Sequence, residues 1–233
     1  MGDEQTEQTE QTPGQRAVAL ALSEWQRRIS ARPECFSRLS EYLRAAGEHR
    51  PYPAPQVGGK PYQWCGAFAA WAWTHGAGLR PDLGSSWASD YRLARLFGMY
   101  QTDHNIPTLS LVVGSGGAIE RLRDYHQAHG GQRVCLPARK AIPGVQVGDV
   151  ALTGRKAWGG HVTLVTGLLA DGSGISTVSG NGLGYWPDSY TEPLSARKVS
   201  GVVVCDVPWS SVAFVIRPAP ADLDRELILR RAS

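Results

Sequence analysis

The chain of 233 residues has little cysteine, and what it has is scattered: Cys35, Cys65, Cys135 and Cys205 stand far apart. That spacing excludes a disulfide framework and a C-x-x-C metal knuckle. No apolar run approaches the length of a membrane span; the best stretch, residues 161–169, is broken by Thr and Gly. The first residues, Met-Gly-Asp-Glu-Gln-Thr, have neither the basic start nor the apolar core of a secretory signal. Gly2 and Thr6 fit a loose myristoylation pattern, but Asp3 and Glu4 would repel an anionic membrane and no basic patch follows. Synthesis in a reducing cytoplasm with unpaired thiols is therefore the expectation.

Phosphate-loop and metal chemistry are equally thin. Val113-Gly114-Ser115-Gly116-Gly117 precedes a helical pattern, yet Ile119 holds the place of the third Gly and no Gly-Lys-Ser/Thr follows. His126 and His129 with Cys135 nearby read as a hydrophilic helix end rather than a ligand set, and no Asp-x-Asp calcium loop lies near the segments that carry candidate chemistry. No metal and no cofactor are expected.

The rest of the composition is ordinary for a globular chain, 42% apolar and 19% charged. Residues 1–14 repeat Glu-Gln-Thr, carry four acidic residues and no Lys or Arg, and read as a disordered tail. Setting that −4 aside from the chain's +3 leaves +7 on residues 15–233. Such a basic body suits anionic polymers, cell wall and nucleic acid alike, and many enzymes of neutral substrates share it; no nucleic-acid partner is expected. Arg outnumbers Lys by 20 to 4, in keeping with a GC-rich bacterial genome.

Apolar spacing predicts an amphipathic helix from Gln15 to about Ala31, with Val18, Leu22, Trp25 and Ile29 on it. A second helix is expected from about Pro33 to Glu48, then a Pro- and Gly-rich loop to Pro61. Cys65–His75 reads as a helix buried on most sides. Residues 85–98 and 117–129 look helical, separated by turns and the short apolar run Leu109–Val113. Beyond Pro143 the texture changes to short β-branched runs: Val147–Leu152, His161–Leu169, Ile175–Val178, Gly201–Val207 and Val212–Ile216. Asp171-Gly172 supplies a tight turn between two of them. Helices followed by an antiparallel sheet is an α+β arrangement. A single catalytic domain over 15–217 is expected, with a mostly helical insertion at about 77–142 and a C-terminal helix or tail at 218–233.

Three residues carry candidate chemistry. Cys65 opens a helix, where unpaired N–H groups and the helix dipole favour a thiolate, and Gly66 leaves room for a carbonyl. His161 starts a strand after Gly159-Gly160, rigidly placed to act as a base near neutral pH. Asn181 closes the following strand in Ser179-Gly180-Asn181-Gly182; if the two strands form a hairpin, its amide reaches His161 and fixes the tautomer. A buried core cysteine, a sheet-edge histidine and a Gly-Asn-Gly turn are the bland alternatives to each.

Taken together, Trp64-Cys65-Gly66-Ala67-Phe68, Val147-Gly148-Asp149-Val150, Gly160-His161-Val162 and Ser179-Gly180-Asn181 resemble, in order, the motifs of CHAP-type amidohydrolases, relatives of the NlpC-like cysteine peptidases. The resemblance covers about residues 52–76 and 143–217. It implies a papain-like fold and hydrolysis of amide bonds, most often in peptidoglycan, by a Cys–His pair oriented by a third polar residue. Ser179 stands where many members carry an acid, which leaves that third role to Asn181. The stretch from Gly76 to Pro143 exceeds the family core and is expected to cap the cleft.

The expected activity is cleavage of an amide bond in peptidoglycan through a thioacyl-enzyme, with oxyanion donors from the Cys65 N–H and Gln63. Trp64, Trp158, Tyr185 and Trp186 are candidates to line the cleft, with core packing an equal account of each. A peptidase or acyltransferase acting on protein or lipid uses the same triad, and an idle wall- or partner-binding module is the alternative from another class. A wall hydrolase made in the cytoplasm needs delivery by phage lysis or an injection apparatus, and an injected one implies an immunity partner.

Overall fold

The computed structural model describes residues 10–53, 63–78, 111–113, 144–153, 161–183 and 200–218. Helix α1 runs from Pro13 to Gln26, α2 from Phe36 to Ala45 after a 3-10 turn at Pro33–Cys35, and α3 from Cys65 to Gly76. The strands are β1 (Leu111–Val113), β2 (Val150–Thr153), β3 (His161–Leu168), β4 (Gly174–Gly182), β5 (Gly201–Pro208) and β6 (Val212–Arg217). They form one six-stranded sheet in the order β1-β6-β2-β3-β4-β5. The coarse α+β class is as expected.

The N-terminal helix starts earlier than its apolar pattern suggests. Thr12 caps α1: its hydroxyl accepts from the Gln15 N–H at 3.2 Å while Gln15 Oε1 accepts from the Thr12 N–H at 2.8 Å, a reciprocal capping box. Gly14 is buried against Val147–Gly148, where a Cβ on Gly14 would meet the Val147 carbonyl at 2.7 Å. The expected tail of 1–14 therefore ends at least two residues sooner. The helix also stops five residues before Ala31. Arg28 adopts φ +56°, which ends it, and Ile29–Ala31 then runs along the edge of β5: Ala31 N–H donates to Ser200 O, and Val202 N–H to Ile29 O. These bonds cover the start of an otherwise open strand edge.

Helix α3 is the centre of the fold. Every residue from Cys65 to Thr74 is buried, which is why its composition is apolar on all sides. It packs between α1, α2 and the sheet face formed by Val150, Leu152, Val162, Leu164, Val178 and Val202. The opposite face buries Ala151, Val165, Ile175 and Val215 beneath Trp209 and Val212. Period-two alternation along β2 to β5 thus sorts side chains between a helix layer and a second face.

Pairing is antiparallel from β6 through β5, as expected, with Thr153 opposite His161 and Leu164 opposite Val178. The departure is β1, which adds to β6 in parallel. A three-residue apolar run carries no signal of its partner, and the long excursion before it permits either direction. At the β3–β4 connection, Asp171 Oδ1 accepts from the Ser173 N–H and hydroxyl, and Gly172 sits at φ +69°, the turn expected at Asp171-Gly172. Asp149, just ahead of β2, is buried and accepts from Gln146 N–H and from Arg217 on β6. The expected insertion at 77–142 lies outside the described residues apart from Ala77, Gly78 and β1, as do the helices expected at 85–98 and 117–129 and the chain after Pro218.

Candidate functional site

Three distant segments meet at one end of β4. The first is the start of α3. A Cβ on Gly180 would lie 2.5–2.6 Å from ring atoms of Trp64 and from Phe68 Cβ. Only a glycine lets the first turn of α3 rest on the strand this closely. The second contact fixes the residue before that turn: Asn181 Nδ2 donates to Gln63 Oε1 at 2.5 Å. The third is the start of β3, where His161 Nε2 pairs with Ser179 Oγ at 2.9 Å. Residues 179, 180 and 181 therefore touch His161, the base of α3 and Gln63 in turn.

The hairpin geometry that was to carry Asn181 to His161 does join the start of β3 to the end of β4. The residue bonded to the imidazole, however, is Ser179. The physical reason is an irregularity: the β4–β5 register shifts between Ser179 and Gly182, and Asn181 adopts φ +58°. A left-handed residue in a bulge re-aims the side chains around it. The Asn181 amide is turned to Gln63, and Ser179, 2% exposed, meets the ring. Its signal in the sequence was the position itself, two before Asn181, where the family resemblance expects an acid.

Cys65 is the first residue of α3, 7% exposed, and no disulfide joins Cys35, Cys65 and Cys205. Trp64 is not a cleft residue. It is fully buried, stacked on Tyr42 at 5.8 Å between ring centroids and edge-on to Phe68 at 6.4 Å. Trp158, Tyr185 and Trp186 lie outside the described residues, as do His126, His129 and Cys135. No group of three or more His, Cys, Asp or Glu that could hold a metal occurs among the described residues.

A groove of about 340 Å³ opens beside the His161–Ser179 pair on the sheet face away from α3, floored by Thr163, Thr177, Val203 and Cys205. The Thr163 hydroxyl is buried there and has no hydrogen-bond partner, a position where a bound polar atom would be welcome.

One cluster went unread in the sequence. Glu24 is fully buried, and Arg38 grips it with Nε at 2.7 Å and Nη2 at 2.8 Å, Arg27 adds a contact at 3.0 Å, and the Tyr42 hydroxyl donates to it. Burial alone would raise the Glu24 carboxyl; the bonds from Arg38 and Tyr42 and the nearby Arg charges outweigh it and hold it below the ordinary range. Arg38 in turn lies 4.5 Å over the Trp71 ring. This cluster ties α1 and α2 to α3. Its sequence signal was Glu24 falling on the stripe of Ala17 and Ala21, an acid on an apolar face.

No helix among the described residues is long and apolar enough to cross a membrane. Compared with family models, curated proteins and solved structures, the chain matches none.

Proposed function

We propose that the protein is a cysteine amidohydrolase of papain-like fold that cleaves amide bonds in peptidoglycan, with Cys65 as nucleophile and His161 as base. The observation that carries the reading is the convergence at β4. A histidine held by a hydroxyl, a thiol at a helix start and a polar side chain just ahead of it share one strand end. A domain that only binds has no physical need for that set.

In this mechanism Ser179 accepts from Nε2–H, so Nδ1 is the nitrogen that takes the Cys65 proton. The thiolate attacks the carbonyl carbon; the C–S bond forms as the C=O π pair moves to oxygen. Donors at the start of α3, the Cys65 N–H and the Gln63 amide, stabilise that oxyanion. Collapse breaks the C–N bond, and the leaving amine takes its proton from the imidazolium. Water, deprotonated by His161, then attacks the thioester and releases the acid and the thiol. The open groove beside His161 suits the substrate flank. The +7 body suits a polymer bearing carboxylates such as peptidoglycan.

The test is digestion of purified peptidoglycan followed by mass spectrometry, with Cys65→Ala and His161→Ala as controls. Wild type should release fragments with new amine and carboxyl ends; both variants should release none while retaining the fold. In parallel, iodoacetamide near neutral pH should label buried Cys65 faster than the more exposed Cys35 and Cys205, and His161→Ala should abolish that preference. Wild-type digestion by Cys65→Ala would overturn the proposal.

A further inference from the structure

Gln63 and Asn181 stand 118 residues apart and are joined amide to amide. Both side chains are polar, Gln63 exposed and Asn181 half-buried, and neither belongs to the apolar core. The bond nevertheless comes with a backbone cost, since Asn181 holds φ +58° within the irregular pairing of β4 and β5. Asn is among the few side chains that accept that region readily. The bond also settles the orientation of Gln63. With Oε1 taken by Asn181, the Gln63 NH₂ faces the other way, two residues ahead of the Cys65 nitrogen.

We infer that the two polar residues of β4 divide the supporting work. Ser179 holds the imidazole, and Asn181 is a positioning residue that acts through Gln63, presenting its Nε2–H as the second oxyanion donor. The inference rests on the amidohydrolase reading above. It differs from an Asn that orients the histidine in one decisive respect, the response to a carboxylate at 181. An Asp that faced the imidazole would strengthen its hold. An Asp facing Gln63 offers no N–H, so the Gln63 amide must turn its NH₂ towards the carboxylate, leaving an oxygen where the oxyanion develops.

The experiment pairs two reactions of the same thiol in the full-length protein. Peptidoglycan turnover passes through an oxyanion. Alkylation by iodoacetamide displaces iodide from a saturated carbon and forms none, so it reports only on Cys65 and its base. The variants are Gln63→Ala, Asn181→Gly, Asn181→Asp and the double Gln63→Ala/Asn181→Gly; glycine keeps the left-handed backbone while removing the amide. Gln63→Ala and Asn181→Gly should each lower turnover by about 100- to 1,000-fold, the range for loss of one oxyanion donor. The double variant should be within about threefold of the worse single, as for two residues acting as one unit. Asn181→Asp should be no more active than Asn181→Gly. Alkylation of Cys65 should keep its rate and pH profile in all four.

Slowed alkylation in Asn181→Gly, higher turnover in Asn181→Asp than in Asn181→Gly, or multiplying losses in the double variant would each overturn the inference while leaving the Cys65–His161 pair standing. Failure of the underlying reading has a different signature. Wild type would then release nothing from peptidoglycan, or His161→Ala would leave alkylation unchanged, and the inference falls with it.

Discussion

Replacing Ser179 with alanine removes a single oxygen, and its consequences can be worked from the site. The hydroxyl is 2% exposed and lies 2.9 Å from His161 Nε2. When the imidazole is neutral, the bond is an ordinary one, worth about 1 kcal/mol net. When the thiol proton has moved to the ring, the same N–H is cationic, and a charge-assisted bond is roughly twice as strong. Losing the acceptor therefore penalises the thiolate–imidazolium pair over the neutral pair by about 1 kcal/mol. That corresponds to roughly fivefold less thiolate and a labelling curve moved to higher pH by about 0.7 unit. A ring no longer held in its tautomer adds a further loss, so turnover should fall by about 5- to 50-fold. The assay is the rate of iodoacetamide labelling of Cys65 between pH 5 and 9, read by mass spectrometry beside peptidoglycan turnover. Ser179→Asp, which restores an acceptor and adds charge, should recover the labelling curve. A Ser179→Ala protein with wild-type labelling and turnover refutes the reasoning, and the hydrogen bond is then incidental.

Two further predictions concern the scaffold. Gly180→Ala places a methyl 2.5 Å from Trp64 and 2.6 Å from Phe68; overpacking of this kind costs about 1–3 kcal/mol. The start of α3 should lift from β4, so thermal unfolding should drop and Cys65 labelling should slow together; an unchanged melting temperature contradicts the contact. Glu24→Gln takes from Arg38, whose side chain is 25% exposed, its buried anion and leaves it the more exposed Glu41. The loss should fall at the lower end of the about 3–5 kcal/mol typical of breaking a buried pair, or roughly 6–12 °C in Tm for a chain of this size. The sign with pH follows from the depressed Glu24 carboxyl. Its stabilisation is complete above the ordinary carboxylate pKa and is lost as pH falls through the lowered folded value. The gap between wild type and Glu24→Gln should therefore narrow as pH falls below the ordinary carboxylate range, and a gap that widens in acid would count against the cluster.

What the sequence made legible follows from how local each signal is. Helix α3 declared itself because burial on every side leaves an unmistakable run of Ala, Trp and Phe from residue 67 to 73. The strands from β2 to β6 were readable because each alternates between two buried faces and ends in Gly, Asp or Pro. Cys65 and His161 were found for a related reason: a helix start and a strand start are positions that sequence can locate. What could not be read depends on contacts between segments. The length of α1 hinged on Arg28 turning left-handed so that Ile29–Ala31 could cover β5, and the cost of an open edge is invisible until the sheet exists. Trp64 looked like a cleft residue because it adjoins Cys65 in the chain, yet adjacent helical residues point in different directions, and this one points to Tyr42.

The exchange between Ser179 and Asn181 follows the same logic at finer scale. Simple alternation along β4 puts residues 179 and 181 on one face, and from pairing alone Asn181 was the one opposite His161. A single irregular step between Ser179 and Gly182 undoes that assignment. Because the side-chain period of a strand is two, a bulge at the end of a strand changes which residue faces which partner without changing any residue. Supporting residues sit where strands bend, and are for that reason less legible than residues at a helix start or a strand start. Positions such as Cys65 and His161 follow from where elements begin, whereas the partners of the imidazole depend on how the strands pair. In this chain that pairing moves the imidazole's support to a hydroxyl, which holds the ring without contributing a charge, and leaves the amide at 181 with Gln63.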